Sequence, residues 1–268
     1  MKNIEPLKKL TSKKHIFFTD RGNTSILLAL KLSKSLGKKK IFIQDQGGWI
    51  TYYQFADRLK LEKNYIETNY GIIEKKHLNI LKNYVDESSV LLINSMPSYI
   101  ALQNMALIND FCKEKKCFLI NDASGSIGTN EAKYGDLILG SFGHWKPINI
   151  GYGGFIAFDN SSYETFFKEN MKKEVKDFSK DLKEKLKLLK SKLKKIGKET
   201  NEIKEKLKDF EIVHKDSNGL NVVVKYRNEE EKLKIIDFCK LYNYEYVFCP
   251  MYIKILEPAI SIEVMRKY

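Results

Sequence analysis

The sequence predicts an α/β fold, a mainly parallel sheet flanked by helices, from which a long helix leads to a small α+β C-terminal domain. Three observations predict it. Through residues 1–160, short β-branched and aromatic runs alternate with stretches of helical spacing. From 161 to 210 the texture changes to one lysine-rich amphipathic segment, and after 210 a strand, helix, strand pattern closes the chain. The 268 residues, 43% apolar with only five prolines, suffice for such a core and exclude a disordered or collagen-like chain.

In order, the predicted strands of the first region are His15 to Thr19, Lys40 to Gln44, Ser89 to Asn94, Cys117 to Asn121, Asp136 to Ser141 and Gly154 to Phe158. Between them, Thr24 to Ser35, Thr51 to Leu61, Ile72 to Tyr84 and Tyr99 to Lys115 repeat apolar residues at helical intervals. In 161–210, Val175, Phe178, Leu182, Leu186, Leu189, Leu193, Ile196, Ile203, Leu207 and Phe210 fall three, four or seven apart, so this is a linker helix. Gly197, followed by Thr200 and Asn201 as caps, offers the alternative of a helical hairpin. In 211–268, strands are expected at Gly219 to Lys225, Tyr244 to Phe248, Tyr252 to Ile255 and Ala259 to Val264, with a helix at Glu229 to Leu241. The domain division is therefore 1–160, 161–210 and 211–268.

The net charge of +13 rests on 43 lysines and four arginines, Arg21, Arg58, Arg227 and Arg266. Scarce arginine argues against a dedicated nucleic-acid reader, because guanidinium forks read phosphate and guanine. The basic stretch 161–210 holds sixteen lysines against ten acids and reads as a solvated helix face. Abundant Lys, Glu and Ile with little Gln resembles the composition of hot-environment proteins. Cys112, Cys117, Cys239 and Cys249 lack a zinc-ligand pattern and are too few for a disulfide scaffold, so they are expected as reduced, buried thiols. No apolar run approaches the roughly 20 residues of a membrane span. Charges in Met1 to Lys14 replace the apolar core of a signal peptide, and a cytoplasmic protein is expected.

Chemistry gathers at the carboxyl ends of the predicted strands, where ligands bind in parallel sheets. One strand delivers Asp122; the next ends at Ser141, five residues before Lys146 and a Gly-Tyr-Gly-Gly turn ending at Gly154. A lysine in a dry cleft can form a Schiff base, and an acid can keep a pyridinium nitrogen protonated, the two demands of pyridoxal phosphate (PLP) chemistry. Ser141 and the turn Gly22, Asn23, Thr24 would take the phosphate on a hydroxyl and on helix N-terminal amides. Trp49 is placed to stack on the ring. Taken singly, each residue has an ordinary alternative: a surface lysine, a helix cap at Asp122, a helix start at Gly22, a core tryptophan.

Their order along the chain carries a resemblance. The block Leu119-Ile-Asn-Asp-Ala-Ser-Gly-Ser-Ile-Gly128, then Gly135-Asp136, then Ser141-Phe-Gly-His-Trp-Lys146 through Gly154 resembles the signature of the DegT/StrS-type nucleotide-sugar aminotransferases, fold-type I PLP-dependent transferases. The resemblance covers most of residues 1–160. It implies that Asp122 pairs with the pyridinium nitrogen and that Lys146 carries the cofactor as an internal aldimine. It further implies that Ser141, Gly22, Asn23 and Thr24 bind phosphate, that Trp49 stacks on the ring, and that Asn94 contacts the phenolic oxygen. For Asn94 a turn residue before Pro97 is the equal alternative.

The implied activity is that of an aminotransferase acting between a small-molecule amino donor and an oxo acceptor such as a keto-sugar, in a homodimer. Lys146 disfavours the dehydratase branch, in which His replaces it. Other PLP-dependent reactions, lyase or desulfurase, stay open, as does a non-catalytic relative that binds nucleic acid or a partner through its basic helix. Cys249, between Phe248 and Pro250, is a poor desulfurase nucleophile, and Arg266 is read as a surface arginine with substrate carboxylate binding as the alternative. The chain departs from the family in having Gly125 where Gln is usual and Gly143 before His144. Its shorter C-terminal part lacks the Asn-containing segment that a neighbouring subunit donates to the phosphate, so nucleotide-sugar specificity is not implied.

Overall fold

Strands with both faces buried need helices on both sides, and the chain supplies them between successive strands. In the computed structural model, which describes residues 4–171 and 175–268, α1 (Glu5–Thr11) precedes β1 (His15–Thr19), α2 (Gly22–Ser35), β2 (Lys40–Gln44), α3 (Thr51–Arg58) and β3 (Glu62–Ile66). Then follow α4 (Lys75–Leu81), β4 (Ser89–Asn94), α5 (Met105–Lys115), β5 (Phe118–Asp122), β6 (Leu137–Ser141) and β7 (Gly154–Phe158). The seven strands form one sheet in the order β1-β7-β6-β5-β4-β2-β3, in which only β7 runs antiparallel to its neighbours. Register sets Asn94 beside Asp122, and Asp122 beside Leu139, so the ends of β4, β5 and β6 lie at one edge. On one face, Ile26 and Leu30 of α2 pack in a core with Ile120, Leu137, Leu139 and Ile156.

The remainder is α6 (Ser162–Asn170), α7 (Ser179–Lys206), β8 (Val222–Lys225), α8 (Glu229–Leu241), β9 (Tyr246–Cys249) and β10 (Ala259–Ile262). Strands β8, β10 and β9 form an antiparallel sheet covered by α8, whose N-cap Asn228 accepts the Glu231 amide at 2.9 Å. Helix α7 buries Leu182, Leu189, Ile196 and Ile203 at intervals of seven. The first two sit in the core beside Phe142 and Phe155, the last two in the core of the small sheet.

Several boundaries differ from the sequence reading. The 161–210 stretch is not one linker helix but α6 and α7, with Val175 and Phe178 ahead of α7; nor does it turn at Gly197, since α7 runs unbroken through Gly197, Thr200 and Asn201, with open space around Gly197. The segment Tyr252 to Ile255 is a turn and not a strand, closed by Lys254 N to Met251 O and Met251 N to Ile255 O, both 2.8 Å. The helix expected from Tyr99 starts at Met105, since Ser98 and Tyr99 adopt φ of 53° and 64° and Asn104 caps the helix. The helices expected at Ile72 to Tyr84 and Thr51 to Leu61 are shorter, the first starting at Lys75 with Glu74 as N-cap and His77 closing the capping box from the third position. Strand β3 and helix α1 were not foreseen: β3 is a polar edge strand, and α1 buries only Leu7 and Thr11. All four cysteines are free and buried. Among the described residues, no helix is long and apolar enough to cross a membrane.

Candidate active site

A cleft of about 380 Å³ opens at the carboxyl edge of β4, β5 and β6, with its far wall supplied by the small sheet's side of the chain. Strand β5 ends at Asp122, which is 5% exposed. Its Oδ2 accepts the Tyr52 hydroxyl at 2.5 Å and its Oδ1 the Ser124 amide at 2.9 Å. Tyr52, wholly buried on α3, has its phenol pushed well above the ordinary range, by burial first and then by the Asp122 charge, so it stays a neutral donor.

Beside it, the Ser141 amide donates to Ser124 Oγ at 2.9 Å, and Ser141 Oγ accepts the Gly143 amide at 3.1 Å. Helix α2 begins against this strand end. A Cβ on Gly22 would lie 2.6 Å from Ser141 Cβ, which is why only glycine lets the helix start so close. The N-cap Arg21 makes no side-chain cap, leaving the first amides of α2 at the cleft. Asn23 faces the cleft and accepts the Trp49 indole N–H at 2.9 Å, joining the two rims.

The loop between β6 and β7 carries Lys146. Phe142 O accepts the amides of Ile150 at 2.9 Å and Gly151 at 3.0 Å, which closes the loop, and Trp145 turns within it at φ 58°. Lys146 Nζ stands 5.2 Å from the Trp49 ring centroid and 4.7 Å from that of Tyr99, and hydrogen-bonds the Tyr99 hydroxyl. Among the described residues no carboxylate pairs with it. The far wall holds Lys254 and Glu263, a buried ion pair in which Glu263 also accepts Ser261 Oγ at 2.6 Å and Asn221 Nδ2 at 3.2 Å.

With that geometry in place, likenesses to solved structures carry weight for the fold. An X-ray structure of a DegT DnrJ EryC1 StrS aminotransferase from Brucella abortus superposes with TM-score 0.72 at 14% identity, over 97% of this chain and 83% of that one. The E. coli GDP-4-keto-6-deoxy-D-mannose-3-dehydratase with bound hydrated PLP gives 0.73 at 14%, over 96% and 85%. The 3-amino-5-hydroxybenzoic acid synthase gives 0.70 at 15%, over 98% and 84%. No family model matches the sequence, and no curated protein matches it. The chain has the fold-type I architecture.

Within that fold-type I frame, Gly22, Asn23, Trp49, Asn94, Asp122, Ser141 and Lys146 all line the one cleft. Thr24 does not; its hydroxyl turns to Asp20 Oδ1 at 2.5 Å. Asn94 reaches the cleft with its amide on Gly47 O and its carbonyl on the Met96 amide, both at 3.0 Å, so its polar atoms also serve the turn. Arg266 lies on a 3-10 turn after β10, not on the strand, with its guanidinium 4.4 Å from the Trp145 ring centroid and Nη1 on Glu245 at 2.8 Å. Cys249 is buried, and burial pushes its thiol up, away from a reactive thiolate. Sequence reasoning missed Tyr52, Tyr99, Ser124, Lys254 and Glu263. Ser124 was within reach, two residues from Asp122 in the quoted block, whereas Tyr99 lay in a segment misread as helix.

Proposed function

We propose that the protein is a PLP-dependent enzyme, most simply an aminotransferase. The observation that carries this reading is the convergence on one cleft of Asp122 from the end of β5, Ser141 from the end of β6 and Lys146 from the loop after β6. The donor set fits the cofactor. Ser141 and Ser124 hydroxyls and the uncapped start of α2 make an anion cradle whose depth a Cβ at Gly22 would fill. Asp122 supplies a buried acceptor for a protonated ring nitrogen, and Trp49 a flat wall. When bound, PLP supplies an aldehyde for a primary amine and an electron-withdrawing ring.

The chain's own residues then divide the work. Lys146 would supply the primary amine that holds the cofactor, and its Nζ, when free, would take and return a proton. Asp122, oriented by the Tyr52 hydroxyl and the Ser124 amide, would hold positive charge at the ring nitrogen. Ser141 and Gly22 would hold the phosphate, and Trp49 would face the ring. Asn23 fixes Trp49. A small-molecule amino donor, an oxo acceptor, a homodimer and a cytoplasmic location belong to the same reading. So does the division into a cofactor domain at 1–160, a basic linker at 161–210 and a small domain at 211–268.

The test is the absorbance of the purified protein with added PLP, for wild type and Lys146→Ala, before and after borohydride. A visible band that borohydride fixes covalently on wild type alone is the expected result, followed by recovery of the cofactor as its amine after incubation with an amino donor. A band that persists in Lys146→Ala refutes the reading.

A further inference from the structure

Lys146 has one polar side-chain partner among the described residues, the hydroxyl of Tyr99. Tyr99 is held in an uncommon way. Its φ is 64°, following Ser98 at 53°, two successive left-handed residues without a glycine. The conformation is secured from the far side of the cleft: Tyr99 O accepts the amides of Leu220 at 2.7 Å and Asn221 at 2.9 Å. Ser98 Oγ adds a bond to Lys254 O at 2.6 Å. Such a backbone persists only where its surroundings over-determine it.

The ring's place is equally specified. A Cβ on Gly125 would stand 2.7 Å from Tyr99 Cε1 and 2.8 Å from Cδ1, with Met96 Cβ at 3.1 Å. Gly125 is therefore glycine because the phenol occupies the volume above it, three residues beyond Asp122. The other cleft groups are engaged elsewhere: Trp49 N–H on Asn23, and Asp122 on Tyr52 and the Ser124 amide. Burial raises the Tyr99 phenol above its ordinary range against the opposing charge of Lys146, so at neutral pH the hydroxyl is intact. An intact hydroxyl accepts from an ammonium and donates to an amine, so it serves the lysine in either state.

The geometry points to Tyr99 as the residue that holds the Lys146 amine in the cleft for attack on an aldehyde, with Gly125 as the space that admits it. This rests on the reading of Lys146 as the cofactor lysine. In the step concerned, neutral Nζ forms a bond to the aldehyde carbon. Two protons leave nitrogen and depart with the aldehyde oxygen as one water, so no further reagent is needed.

The experiment follows the appearance of the PLP band after mixing, with the modified peptide identified after borohydride and the thermal midpoint of each cofactor-free protein recorded. Tyr99→Phe keeps the ring and its packing on Gly125. It is expected to retain the wild-type midpoint closely while forming the Lys146 adduct about tenfold more slowly, the upper end of the loss expected for one neutral hydrogen bond. Gly125→Ala is expected to slow the wild type similarly by displacing the ring, and to add little in a Tyr99→Ala background, where the ring is gone and only Met96 Cβ at 3.1 Å remains close. Adduct formation by Tyr99→Phe at the wild-type rate overturns the inference while leaving the cofactor reading intact. Equal slowing by Gly125→Ala in both backgrounds overturns the coupling of the two positions. A wild type with no Lys146-dependent band overturns the cofactor reading itself, and this inference with it.

Discussion

Replacing Gly22 by alanine tests the phosphate cradle with a single methyl group. Its Cβ would lie 2.6 Å from Ser141 Cβ and 3.0 Å from Ser141 Oγ, about 1 Å inside the separation at which carbon atoms rest. Neither side can yield cheaply. Ser141 ends a strand hydrogen-bonded on both edges, and α2 is anchored one turn on by Ile26 and Leu30 in the same core as Leu137 and Leu139. The backbone of Gly22 itself has no unusual φ, so the effect is steric alone. Overpacking of this kind costs about 1–3 kcal/mol. Because the movement falls on the anion cradle, the same energy appears as roughly 5- to 150-fold weaker cofactor binding. The assay is equilibrium titration with PLP, read by absorbance, alongside inorganic phosphate as a competitor. Gly143→Ala is the control, since its Cβ would meet only Ser141 Oγ at 3.3 Å. If Gly22→Ala binds PLP and phosphate as tightly as wild type, the junction of α2 and β6 is not where the phosphate sits.

Three further outcomes follow from named contacts. Gly197→Ala, in the interior of α7 with nothing within 4 Å of its Cβ, should raise stability by about 0.5–1 kcal/mol, visible as a higher urea midpoint; a lowered midpoint would indicate a bend there. Glu263→Gln leaves Lys254 charged and buried and should cost about 3–5 kcal/mol, whereas Lys254→Met with Glu263→Leu should recover much of that loss in the same denaturation measurement. Asp86 is held well below the usual carboxylate range, first by Lys40 at 2.8 Å and then by Ser88. Its contribution is therefore complete above about pH 4 and lost as pH falls through the lowered folded value, so the acid limb of stability between about pH 4 and 2 should flatten in Asp86→Asn.

Most of the sheet was legible because buried parallel strands must be continuous apolar runs: Ser89–Asn94 is buried at every position, and its bounds agree with the sequence reading. Strand β3, with Glu62, Lys63 and Asn64, carries no such signal, because an edge strand takes one partner and much water. Gly197 misled because a glycine in a helix weakens it locally without breaking it when a buried stripe continues on either side. At the site, the residues that bear chemistry were visible through strand ends and motif order. Those that orient them were not. Tyr52 and Tyr99 lie 70 and 23 residues from Asp122 in sequence, and Tyr99 depends on a left-handed backbone held by long-range hydrogen bonds from Leu220 and Asn221. Nothing in the sequence marks Glu263 and Lys254 as a pair, because only the folded small sheet buries them together.

Helix α7 spans 28 residues, about 42 Å at 1.5 Å per residue, with Leu182 and Leu189 in one core and Ile196 and Ile203 in the other. A helix shared by two cores behaves as a common axle. Loosening one end removes the template on which the other packs, so the two lobes should melt in one transition with a calorimetric enthalpy matching the van't Hoff value. The same axle ties the far wall of the cleft to the large sheet, since sliding along it would pull Leu182 and Leu189 out of the core beside Phe142.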